Sequence, residues 1–123
     1  MTQIELKDLK VAELVERFAT AGVEQNQALL CDQFARFSRL YWQMDAINNE
    51  LRSRPGDQRR ALIALFSHAD MQVRLKAAKA TLAVDPEAAR RMLRVIVDSH
   101  QQPQAGDAGM CLWNLDRGVF VPE

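Results

Sequence analysis

The sequence predicts an all-α fold of about six helices, arranged as three consecutive antiparallel hairpins. These form either a short right-handed array or a compact bundle. Three observations carry this. Apolar residues recur in steps of three and four through most of the chain. The stretch Leu62–Val97 reads as the end of one helix and two complete ones, separated only by Ser67-His68-Ala69-Asp70 and Asp85-Pro86. Period-two alternation, the mark of a strand, is confined to the brief tail Val119-Phe120-Val121.

Each element follows from local chemistry. Over 5–20, Leu6, Leu9, Leu14, Val15 and Phe18 form one apolar stripe, and Gly22 is expected to end that helix. A long helix is predicted from Glu24 to Leu51, with Leu30, Phe34, Phe37, Leu40, Tyr41, Met44, Ile47 and Leu51 on its buried side. Asn48-Asn49 is its weakest point. Pro55-Gly56 turns the chain, and Asp57 is a candidate N-cap for a helix over Gln58–Phe66.

Asp70 is the expected cap of the next helix, which runs to Val84 and is rich in small residues that permit close helix approach. Asp85 caps a further helix from Pro86 to Ser99. There the proline occupies the first turn, where its missing N–H costs nothing. A loop over 101–106 leads to Asp107, read as the cap of a last helix from Ala108 to Leu115. Trp113 is expected to close the core, and 119–121 to dock as an apolar tail.

The chain has 123 residues, a length suited to one domain (1–123) with a self-sufficient core. Its sixteen basic and sixteen acidic residues cancel, unlike the basic balance usual in nucleic-acid binders. The charge is nevertheless uneven. Residues 51–94 hold ten Lys or Arg against four Asp or Glu.

Met1-Thr2-Gln3 leads directly into charged amphipathic sequence, so no secretory leader is expected. No apolar run reaches the ~18 residues of a membrane span. A cytoplasmic location follows, with Cys31 and Cys111 expected as buried, reduced thiols.

Motifs for catalysis are lacking. His68 and His100 have no partner at metal-ligand spacing, no serine lies in a GxSxG context, and there is no glycine-rich phosphate loop. The reading therefore assigns no catalytic, cofactor-binding or metal-binding residue, and no cofactor. Arg74, four residues after Asp70, is read as a structural brace, through a local ion pair or by bridging to the preceding hairpin.

The candidate interaction surface comprises Arg52, Arg54, Arg59 and Arg60 around the Pro55-Gly56 turn, with Lys76, Lys79, Arg90, Arg91 and Arg94 on the next two helices. Trp42 joins them, because it lies about 100° away from the stripe that holds Tyr41.

The string from His68 to Leu82 resembles the core of a HEAT repeat, and the array is correspondingly HEAT- or armadillo-like. An Asp (Asp70) precedes the helix, a Val-Arg pair (Val73-Arg74) opens it, and small residues (Ala77-Ala78) follow. From about Leu9 to Leu115 the chain resembles the bacterial DUF2019 family, whose folds are HEAT-like. The resemblance rests on Arg39-Leu40-Tyr41, Ile47, Glu50-Leu51, Val73-Arg74, Pro86-Glu87-Ala88 and the Ala108–Leu115 segment with Trp113. It implies a helical fold and brings no catalytic residue with it.

The expected role is that of a non-catalytic protein-interaction or scaffold module, not an enzyme. Its partner is expected to be another protein, and a homodimer is plausible because end hairpins are left uncovered. The alternatives are a nucleic-acid-binding module using the basic 52–94 region and an immunity-type regulatory partner. No membrane association is expected.

Overall fold

A computed structural model describes residues 5–123; the expectation drawn from Met1-Thr2-Gln3 lies outside them. The described residues form five α-helices and two 3-10 segments, with no strand. The helices are α1 (Val11–Leu30), α2 (Phe34–Ser53), α3 (Met71–Thr81), α4 (Pro86–Asp98) and α5 (Gln104–Asp116). The 3-10 segments are Leu6–Asp8 and Gln58–Ser67. No helix among the described residues is long and apolar enough to cross a membrane. The chain divides into two compact units, 1–61 and 62–123.

In the first unit α1 packs along α2. Leu14, Phe18, Ala21 and Ala28 are buried from α1, and Leu40, Met44, Ile47 and Leu51 from α2. Gly22 does not end a helix. It is buried well inside α1, where the missing side chain reduces bulk on the packed side.

The stop comes instead at Asp32, in the middle of the predicted Glu24–Leu51 helix. Asp32 takes a left-handed φ of 54°. The Gln33 N–H then reaches the Ala28 carbonyl (2.9 Å) and the Asp32 N–H the Leu29 carbonyl (3.5 Å). This pair of bonds satisfies the last carbonyls of α1 in the Schellman manner, with aspartate where glycine is usual. The short polar side chain of aspartate makes that conformation accessible. Asn48-Asn49, the expected weak point, stays helical within α2.

The start of the chain also departs from expectation. The predicted helix over 5–20 is broken at Leu9-Lys10, and the segment before it is held by Arg54. The Arg54 guanidinium donates to the Leu6 (3.1 Å) and Leu9 (2.6 Å) carbonyls and pairs with Glu50 at 2.9 Å. Glu13 then accepts the Lys10 N–H at 3.0 Å, satisfying one donor at the start of α1.

The second unit is a three-helix packing of α3, α4 and α5. The expected hairpin of 58–66 with the next helix is replaced by contacts of α3 with both later helices. Residues 58–67 are 3-10 rather than α-helical. Leu75, Ala78, Leu82, Ala89, Leu93, Ile96, Ala108 and Cys111 build the core, with Phe66 and Val97 against it.

The caps at Asp70 and Asp85 are as read from the sequence. Asp70 accepts the Gln72 and Val73 N–H groups (2.9 and 3.2 Å), and Asp85 accepts that of Ala88 (3.2 Å). Asp107 is not a cap, because α5 begins three residues earlier, at Gln104. The Gly106 N–H is satisfied by the Gln102 side chain at 2.9 Å. That register buries Gln104, whose side-chain amide donates to Gln72 Oε1 at 3.0 Å. Gly118, with φ 70°, ends α5: its N–H reaches Leu115, and that of Val119 reaches Asn114.

Candidate interaction surface

The nine basic side chains singled out in the sequence do not form a set of free cations. Arg59 is 6% exposed, so it leaves the surface set. Its guanidinium grips Asp57 through Nε (2.9 Å) and a terminal nitrogen (2.6 Å). Asp57 itself adopts a left-handed φ of 48° and also accepts the Arg59 N–H at 3.3 Å. The Arg59 guanidinium holds the Asp57 carboxyl below its ordinary range, and the Arg59 pKa is raised in return.

Arg54 is the brace described above. Lys79 pairs with Asp107 at 3.0 Å and Arg90 with Asp116 at 2.9 Å, both within the second unit. Arg60 and Lys76 also have partners. Arg52, Arg91 and Arg94 are exposed and make no hydrogen bond or ion pair among the described residues. The pattern is that of cations tying their own unit together. Sequence spacing could not show it, since Asp107 and Asp116 lie 28 and 26 residues from their partners.

Arg74 is a correction of a different kind. It makes no ion pair with Asp70, whose carboxylate faces the first turn of α3, and its Nε is buried without a hydrogen-bond partner.

Several apolar residues read as core lie at the surface instead. Trp113 is 58% exposed, with the Arg117 guanidinium 5.0 Å from its ring centre. Met110, Val119, Phe120 and Val121 are exposed as well. A further group lies on α2 and at the end of α1. Phe34 (74% exposed) and Tyr41 are seven residues apart and so share one helix face. Trp42 (65%) meets Tyr41 edge-to-face at 5.1 Å, and Leu30 (80%) lies just before the α1–α2 turn. Trp42 is exposed as predicted, whereas Leu30, Phe34 and Tyr41 are not part of a buried stripe. The break at Asp32 separates Leu30 from the α2 stripe, and Phe34 and Tyr41 lie about 100° or more round α2 from the buried Leu40.

The first unit also carries an open groove of about 530 Å³ between α1 and α2. Its walls include Leu6, Ala21, Ala46 and Ile47, and its rim carries Glu13, Glu16, Glu24 and Arg17. The sequence reading missed it, because a groove of this kind exists only once two helices are packed. No group of three or more His, Cys, Asp or Glu suited to a metal occurs among the described residues.

Cys31, expected to be buried, is exposed beside the α1–α2 turn, whereas Cys111 is buried and burial pushes its thiol pKa up. At neutral pH, iodoacetamide is therefore expected to modify Cys31 rapidly and Cys111 slowly in the native protein. Peptide mapping of a time course checks this; equal rates would contradict the packing of α5.

Comparison with known proteins agrees with this fold. The model of the family described as "Domain of unknown function (DUF2019)" matches residues 12–116. The crystal structure of the protein RPA1889 from Rhodopseudomonas palustris CGA009 superposes with a TM-score of 0.95 at 52% identity. The match covers 98% of this chain and 100% of the other. No curated protein matches. The matched span takes in most of the chain, from the first turn of α1 to the end of α5, and the chain belongs to the DUF2019 family.

Proposed function

We propose that this chain is a non-catalytic, cytoplasmic protein-interaction module, built from helix pairs packed in the HEAT manner, that pairs with a second copy of itself through α2. The observation that carries the proposal is the ridge of Leu30, Phe34, Tyr41 and Trp42. An aromatic side chain presents about 150–250 Å², so the four residues expose roughly 450 Å² of largely apolar surface. That lies within the range of the largest patch on a monomer, which is often functional.

A two-fold pairing of two such ridges would remove about 900 Å² before any rim is counted, approaching the ~1,200 Å² of the smaller stable interfaces. A second copy fits because the surface is its own complement, apolar against apolar. Aromatic residues at the centre of a patch are also the usual hot spots.

Light scattering coupled to size exclusion, over a wide concentration range, tests the proposal. The wild type is expected to be a dimer and Trp42→Glu a monomer with unchanged circular dichroism. A wild type that stays monomeric at every concentration would reject self-association through α2.

A further inference from the structure

The groove of the first unit lies on other positions of α1 and α2 than the ridge. We infer that it is a docking site for a cationic amphipathic segment of a partner protein, with aliphatic side chains seated on its floor. Two helices packed side by side leave a furrow into which a third helix can fit, and recognition of a helix in such a groove is a recurrent binding mode.

Here the furrow is open, with Thr20, Gln43 and Ala46 of its lining exposed. From Glu13 to Glu24 its α1 wall spans twelve residues and rises about 16 Å, which matches three turns of a docked helix. The middle is shallow and small-sided, formed by Ala21 and Ala46 beside Ile47. That shape admits an aliphatic side chain.

Charge decides the sign of the partner. The lining has three carboxylates and one guanidinium. Glu24 is shared with Arg36 at 3.8 Å, and Glu13 already accepts a backbone N–H. Glu16 is exposed and makes no hydrogen bond or ion pair among the described residues, which leaves it available to a Lys or Arg of the partner. An anionic segment would be repelled, because the rim is net negative. Glu16 and Ala46, at one end and in the middle of the furrow, therefore read as selecting for charge and for side-chain size respectively.

The test uses the full chain and two labelled synthetic peptides of about three helical turns. One carries leucine at helical spacing with lysine elsewhere, and the other has glutamate in place of each lysine. Fluorescence anisotropy at low salt is expected to show binding of the lysine peptide and none of the glutamate peptide. Glu16→Lys and Ala46→Arg change exposed positions and should keep the native circular dichroism. Each is expected to weaken lysine-peptide binding by at least about fivefold.

Trp42→Glu is expected to leave the peptide affinity unchanged, and the groove variants to leave the oligomeric state unchanged. The two surfaces can thus fail separately. No binding of the lysine peptide by the wild type, or equal binding by wild type and both groove variants, would overturn the inference.

Discussion

Replacing Leu93 by alanine is expected to destabilise the protein by about 3 kcal/mol, within the 2–5 kcal/mol found for buried leucines. Leu93 is fully buried in the core of the second unit, where all three of its helices contribute. The loss has two parts. Removing buried methyl groups forfeits their transfer free energy, and the cavity left behind collapses only in part, because helix backbones on three sides fix its walls.

For a chain of this size the corresponding drop in melting temperature is roughly 10 °C. Leu93→Met, which nearly conserves volume, should lose less than about 1.5 kcal/mol. Urea unfolding of the three proteins measures both effects. A Leu93→Ala loss below about 1 kcal/mol would mean that this face of α4 is not part of a close-packed core.

The second large effect is expected at Asp57. Asparagine tolerates the left-handed backbone of this position about as well as aspartate, so Asp57→Asn isolates the charge. The substitution removes the Asp57 charge from beside the Arg59 guanidinium, which is 6% exposed. Breaking a buried pair costs about 3–5 kcal/mol. The Asp57 side chain is itself partly solvated, so a loss of about 2–3 kcal/mol is expected at neutral pH.

The pH dependence has a definite sign. The folded carboxyl is held below its unfolded value, near 3.9, by Arg59. Its contribution is therefore complete above the unfolded pKa and is lost as pH falls through the folded one. The stability gap between wild type and Asp57→Asn should be constant from neutrality to about pH 5 and close progressively below it. Denaturation midpoints across that range decide the matter, and a gap that persists unchanged into strong acid would exclude the ion pair as its cause.

What was legible in the sequence was local. Asp70 and Asp85 are caps because a short carboxylate before an apolar-periodic run can reach N–H groups two or three residues ahead. Pro86 opens a helix, Gly118 closes one, and the resemblance carried by Val73-Arg74 and its neighbours led to the right family. The all-helical class follows from the same short-range periodicity.

Other features depended on atoms far apart in the chain. Gly22 packs inside α1 and Asp32 ends that helix, because a glycine can serve packing as well as termination, and only the neighbouring helix decides which. Arg54, Lys79 and Arg90 looked like part of one basic surface, but carbonyls and carboxylates 26 to 48 residues away turned each into an internal tie. Leu30, Phe34 and Trp113 had the right spacing for burial and lack neighbours to bury them.

The sequence by itself thus determined the secondary structure class, the capped starts of α3 and α4 and the family, since those depend on hydrogen bonds and side chains within a few residues. Tertiary structure alone decided which apolar faces stay open, which charges are neutralised and where a groove lies. Burial and ion pairing are set by distances between residues that the chain order does not fix.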